Sequence, residues 1–254
     1  VTNLNLISEP QPLAPTPLPW GWREIGKATL FMIVGTLVLS AVLAGIIFAT
    51  GRPLAESAKM SSAPVFIAVT AIYTMVVLGV YLFAVRRPGS SWGQLGFRPF
   101  DWWWAPLAPV LTTLQLMGMA LINLVLVLPF TDGAFENPQI EQITGGMSLT
   151  PVDFGVLLVL IAIIAPIAEE IFFRGMLYPV MRQRWGVPVA ITANALAFAL
   201  LHVIPILLPG LFFVGLILAW VRERSGSIGP TILMHALQNA LVLWGIYMSF
   251  ATTG

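Results

Sequence analysis

Between Ala28 and Thr50, and again between Ala105 and Phe130, the chain carries no ionisable side chain. An uninterrupted apolar stretch of that length is what a helix needs to cross a bilayer, which takes roughly 20 residues. Backbone polar groups in lipid must be satisfied within the spanning segment, so the expected fold class is all-α, a polytopic membrane protein of about seven transmembrane helices. The spans read as Ala28–Thr50, Val65–Val85, Ala105–Phe130, Phe154 to about Arg184, Val189–Ile204, about 206–221 and Pro230–Phe250. Gly186-Val187-Pro188 breaks the fourth from the fifth, and Pro205 with Pro209-Gly210 marks the next connection.

Composition agrees. Of 254 residues 58% are hydrophobic and 9% charged, with mean hydropathy +0.90, against about 25% charged residues in soluble domains. A net charge of +1 without a basic run argues against a nucleic-acid partner. The absence of cysteine removes disulfides, thiolate metal ligands and a thiol nucleophile. No basic start followed by a short apolar run suggests a cleaved leader.

Four regions are expected. Residues 1–27 form a proline-rich cytoplasmic tail ending in an interfacial anchor of Trp20, Trp22, Arg23 and Lys27. Residues 28–130 hold three accessory helices, 131–153 an acidic extracytoplasmic loop, and 154–254 the core. With the N-terminus inside, ten Lys and Arg side chains fall on the cytoplasmic side, and two, Arg52 and Lys59, outside. That bias sets the expected orientation, an integral protein of the cell inner membrane. Trp102-Trp103-Trp104 reads as an interfacial belt.

The fourth span contains Glu169-Glu170-Ile171-Phe172-Phe173-Arg174. Charges at membrane depth cost about 2.5 kcal/mol or more each and usually mark function. At about 100° per residue, Glu170 and Arg174 lie about 40° apart on one face, whereas Glu169 lies about 140° from Arg174. Glu170–Arg174 is therefore expected as a structural ion pair. Glu169 is left unpaired by its own helix, as a general base in a dry site would be.

The two histidines, His202 and His235, fall in predicted spans. Glu169 lies 17 residues before Gly186 and His202 lies 16 after it. Across an antiparallel hairpin both reach nearly the same depth, about 25 Å from the turn. His235 and Asn239 share a face of the last span. Asn194, Gln115 and Asn123 read as helix–helix hydrogen bonds.

A carboxylate, two imidazoles and a carboxamide can hydrolyse an amide. Glu169 would take a proton from water held by His202, and His235 and Asn239 would donate to the oxyanion. There is no His-Glu-x-x-His, no Gly-x-Ser-x-Gly elbow, and no aspartate deep in a span for a dyad. No cofactor is favoured. The alternative is zinc (Zn) held by Glu169, His202 and His235, since His₂Glu is an accepted catalytic set. Two competing functions remain: a non-catalytic membrane scaffold or bacteriocin-immunity-type binding protein, and a proton-coupled carrier, for which no internal repeat argues.

Glu169-Glu170-x-x-x-Arg174, Phe198-x-x-x-His202 and His235-x-x-x-Asn239, in that order on separate spans, resemble the CAAX protease and bacteriocin-processing (CPBP, or Abi) family of intramembrane proteases, which includes the type II CAAX prenyl endopeptidases. The likeness covers about residues 150–245, and Leu95-Gly96-Phe97-Arg98-Pro99 also looks like a family feature. It implies an all-helical core with a site open to the cytosol, Glu169 and His202 activating water, and His235 with Asn239 as oxyanion hole. The family is commonly labelled metalloendopeptidase. The implied partner is a peptide or protein C-terminal tail in the bilayer, prenylated in eukaryotic members, from which three residues are removed.

Overall fold

The computed structural model describes residues 17–50, 63–131 and 149–251. Most of the proline-rich tail, Arg52 and Lys59, and most of the acidic loop lie outside the described residues, as does the chain beyond 251.

Seven helical segments follow in order: α1 Trp22–Thr50, α2 Ala63–Val80, α3 Trp104–Ile122, α4 Pro151–Trp185, α5 Val187–Leu200, α6 Leu208–Ser225 and α7 Gly229–Ala251. There is no strand among the described residues. All but α5 belong to helical stretches long and apolar enough to cross a membrane. The 14 residues of α5 reach about 21 Å, short of the roughly 30 Å hydrocarbon thickness. The expected span Val189–Ile204 is thus too long at its C-terminal end. Pro205 forces Ile204 into extended backbone, and Val203 sits at φ +56°, outside helical geometry. His202 consequently stands in the turn after α5, its N–H bonded to Ala199 O at 3.2 Å.

The start of α4 lies three residues before the expected Phe154. Thr150 caps it in a reciprocal box with Asp153, whose N–H reaches Thr150 Oγ1 at 3.2 Å while Oδ2 accepts from the Thr150 N–H at 3.0 Å. Pro151 occupies the position where no N–H is needed. Gly186, at φ +75°, ends the helix and turns the chain into α5. Within α4 the ladder widens to π geometry at Leu160–Ile164 and Ile171–Leu177. Each wide segment contains the residue four before a proline, Ala162 for Pro166 and Gly175 for Pro179, whose carbonyl would have lost its partner in a regular helix.

The second half of α4 is the centre of the bundle, buried continuously from Ile171 to Met181. Glycine lets α6 pack closely on α5: a Cβ on Gly215 would stand 2.8 Å from Ala195 Cα. At one end of the bundle the α2–α3 loop, the end of α4 and the α6–α7 turn are tied together. Ile228 N–H donates to Gly96 O at 3.0 Å, Ser227 Oγ to Arg98 O at 2.9 Å, and Arg182 Nε to Glu223 Oε2 at 2.8 Å. Gly96 is at φ +99°, and a Cβ there would lie 2.7 Å from Arg222 Nη2, so only glycine fits. The loop stretch Leu95–Pro99 is therefore a bracket around the end of α6. Apolar side chains of α1 and α3, among them Leu37, Phe48, Met117 and Leu121, remain exposed, as lipid-facing positions would.

Candidate active site

Glu170 and Arg174 form the ion pair their spacing predicts. Arg174 Nη1 donates to Glu170 Oε1 at 2.8 Å, and both side chains are fully buried. Arg174 also donates through Nη2 to Gly215 O at 3.3 Å, and its guanidinium lies over the Phe198 ring, 4.6 Å from the centroid. The pair thus ties α4 to α5 and α6.

His235 joins this pair rather than standing apart from it. Its Nδ1 lies 3.0 Å from Glu170 Oε1. An arginine-paired carboxylate accepts hydrogen bonds, so Nδ1 carries the proton and donates. The opposite ring nitrogen, Nε2, lies 3.9 Å from Glu169 Oε2, beyond hydrogen-bond distance. Glu169 Oε2 is buried and without a hydrogen-bond partner among the described residues. The two glutamates are held differently, as their helical phases require: Glu170 Oε1 receives both Arg174 and His235, whereas Glu169 receives neither, and Oε2 of each is buried without a hydrogen-bond partner among the described residues.

His202 is fixed by its own helix end. Its Nδ1 donates to Phe198 O, a carbonyl that can only accept, at 2.8 Å, which leaves Nε2 as acceptor in the neutral ring. Phe198 stands edge-on to both imidazoles, with centroids 4.7 Å from His202 and 5.7 Å from His235. Asn239 donates through Nδ2 to Ile161 O at 2.8 Å. Ile161 lies in the first π segment, where its partner five residues on is Pro166, which has no N–H. The carboxamide supplies that bond and keeps a second N–H.

Glu169, His202, His235 and Asn239 all line one cavity of about 270 Å³. Its remaining wall is largely apolar, including Leu211, Val242 and Ile246. The accessory helices also reach it. Tyr73 of α2 donates to Glu169 Oε1 at 3.3 Å, and Met119 and Asn123 of the third helical stretch line the wall. Tyr73 was legible only as a hydroxyl in the middle of an apolar span, a signal that the sequence reading left unused. Gln115 donates to Gln238 Oε1, joining α3 to α7 as a helix–helix bond. Asn194 does the same to Phe173 O at 2.9 Å, whereas Asn123 Oδ1 is buried and unpartnered among the described residues.

Among the described residues no group of three or more His, Cys, Asp or Glu side chains is disposed to hold a metal ion. The set Glu169, His202 and His235 raised for zinc is thus not assembled as a ligand cluster in this geometry. The three line a common cavity, and the bonds of His235 Nδ1 to Glu170 and His202 Nδ1 to the Phe198 carbonyl leave Nε2 of each ring open, as in metal-ligating histidines.

The fold and the cavity define the class: an all-helical membrane protein with a carboxylate–imidazole site sunk among its helices. Residues 151–241 match the family model described as Type II CAAX prenyl endopeptidase Rce1-like. Over that segment the chain is similar to the CAAX-protease-like intramembrane peptidases of the CPBP kind. The matched segment contains Glu169, Glu170, Arg174, His202, His235 and Asn239. No curated protein and no solved structure matches the chain.

Proposed function

We propose that the chain hydrolyses a peptide bond near the C-terminal tail of a membrane-associated, prenylated substrate, with water activated by Glu169 and no metal. One observation carries the reading: Glu169 Oε2 is buried and unpartnered beside a histidine whose other nitrogen is anchored on Glu170. Water gives a proton to Glu169 Oε2 while its second hydrogen is held by His202 Nε2. The hydroxide formed attacks the scissile carbonyl carbon, and the C=O electron pair becomes an oxyanion. Asn239 Nδ2 and His235 Nε2 donate to that oxyanion. Because Nδ1 already donates to Glu170, this role requires His235 as imidazolium, flanked by two carboxylates. Collapse breaks the C–N bond, and the leaving amine takes the proton back from Glu169.

The arginine-rich ends of α4 and α6 face the cytoplasm in this reading, following the charge bias of the loops. The apolar wall of the cavity suits a substrate that arrives from lipid. The test is incubation of the purified full chain with a farnesylated CAAX-type peptide in detergent, with products read by mass spectrometry. Release of the terminal three residues is expected. Tight binding of the peptide without cleavage would replace the enzyme with a binding protein.

A further inference from the structure

We infer that Tyr73 of α2, outside the matched segment 151–241, is the positioning residue for the Glu169 carboxylate; this rests on Glu169 being the base. Tyrosine in a membrane helix usually sits at the headgroup boundary, where its hydroxyl meets water. Tyr73 is instead the eighth residue of the 20-residue apolar stretch Phe66–Val85. Burying a hydroxyl at that depth without a partner is costly. Its partner is Glu169 Oε1, at 3.3 Å.

The consequence for Glu169 is directional. The carboxylate has two equivalent oxygens and a free terminal torsion. Oε1 accepts the tyrosine hydrogen bond, and Oε2 is left buried without a partner, 3.9 Å from His235 Nε2. Glu170 is oriented otherwise, since Arg174 and His235 both hold its Oε1. Glu169 has neither, because its helical phase turns it away from Arg174 and towards α2. Tyr73 thus decides which oxygen faces the cavity, and makes α2 part of the reacting geometry rather than a lipid-facing accessory. A simple helix–helix bond would make the same contact but would matter only to stability.

The two roles separate in kinetics. The full chain is purified in detergent as wild type, Tyr73→Phe, Glu169→Gln, Glu169→Asp and the double variant Tyr73→Phe/Glu169→Asp, and assayed with the farnesylated peptide. Phenylalanine keeps the ring and its packing, so the melting temperature stays close to wild type. Loss of the orienting bond lowers kcat about tenfold with KM within about twofold, since misaligned catalytic groups cost rate before binding. In the Glu169→Asp background, whose shorter carboxylate no longer reaches the hydroxyl, Tyr73→Phe costs nothing further. Wild-type kcat in Tyr73→Phe, or a loss confined to KM or melting temperature, overturns the inference while leaving Glu169 as base. Wild-type turnover in Glu169→Gln would instead overturn the base assignment itself.

Discussion

His235 bonds through Nδ1 to Glu170 Oε1 at 3.0 Å, across 65 positions of sequence. The residue expected to be purely structural is therefore the anchor of one expected to be catalytic. On the proposed mechanism, stability and turnover are coupled through this bond, because the same oxygen also receives Arg174.

Glu170→Gln should lose both. It leaves the Arg174 guanidinium fully buried without its carboxylate, a change that costs about 3–5 kcal/mol in comparable pairs. Thermal unfolding in detergent should show a clear fall in melting temperature, and the surviving folded fraction should turn over slowly, since His235 no longer has a full anionic acceptor. A Glu170→Gln protein with wild-type stability and wild-type kcat would contradict this coupling.

Asn239→Ala should reduce kcat about 10²–10³-fold with little change in KM, the usual cost of one oxyanion donor. It also strips Ile161 O of its donor, for about 1–3 kcal/mol of stability. A variant that lost only stability would make the carboxamide a brace for the π segment and nothing more.

Gly215→Ala tests the packing independently of chemistry. The added methyl would meet the backbone of Ala195 at 2.8 Å, and a backbone atom cannot swing aside. Separating α5 from α6 should cost about 1–3 kcal/mol, as overpacking does. Urea or thermal unfolding reads it, and an unchanged midpoint would show that the crossing is looser than described.

Chelation separates the two chemistries raised for the site. Water activated by Glu169 needs no metal, so turnover after exhaustive treatment with chelator should stay within about twofold of the untreated enzyme, and elemental analysis of that sample should show no stoichiometric zinc. Activity lost to chelator and restored by zinc would require the three side chains to regroup around an ion.

Much of this arrangement was open to the sequence because membrane helices obey few rules. Apolar length located six of the helices, and the i, i+4 spacing paired Glu170 with Arg174. The nearly equal distances of Glu169 and His202 from Gly186 pointed to a common depth, and the two line one cavity. The end of α5 escaped, because a residue at positive φ such as Val203 is set by tertiary surroundings and not by its own preference. So did Tyr73, since one hydroxyl in an apolar span gives no hint of which helix it faces. The bond from His235 to Glu170 was hidden for a related reason: helical phase says which residues share a face, but not how deep α7 lies against α4.

The account stands on Glu169 as the group that takes the proton from water. Glu169→Gln keeps the size of the side chain and its bond from Tyr73 while removing the base. Single-turnover cleavage of the farnesylated peptide by this variant, with folding verified by its melting temperature, should fall at least about 10²-fold, the lower range for general-base catalysis. Cleavage at the wild-type rate by folded Glu169→Gln would contradict it.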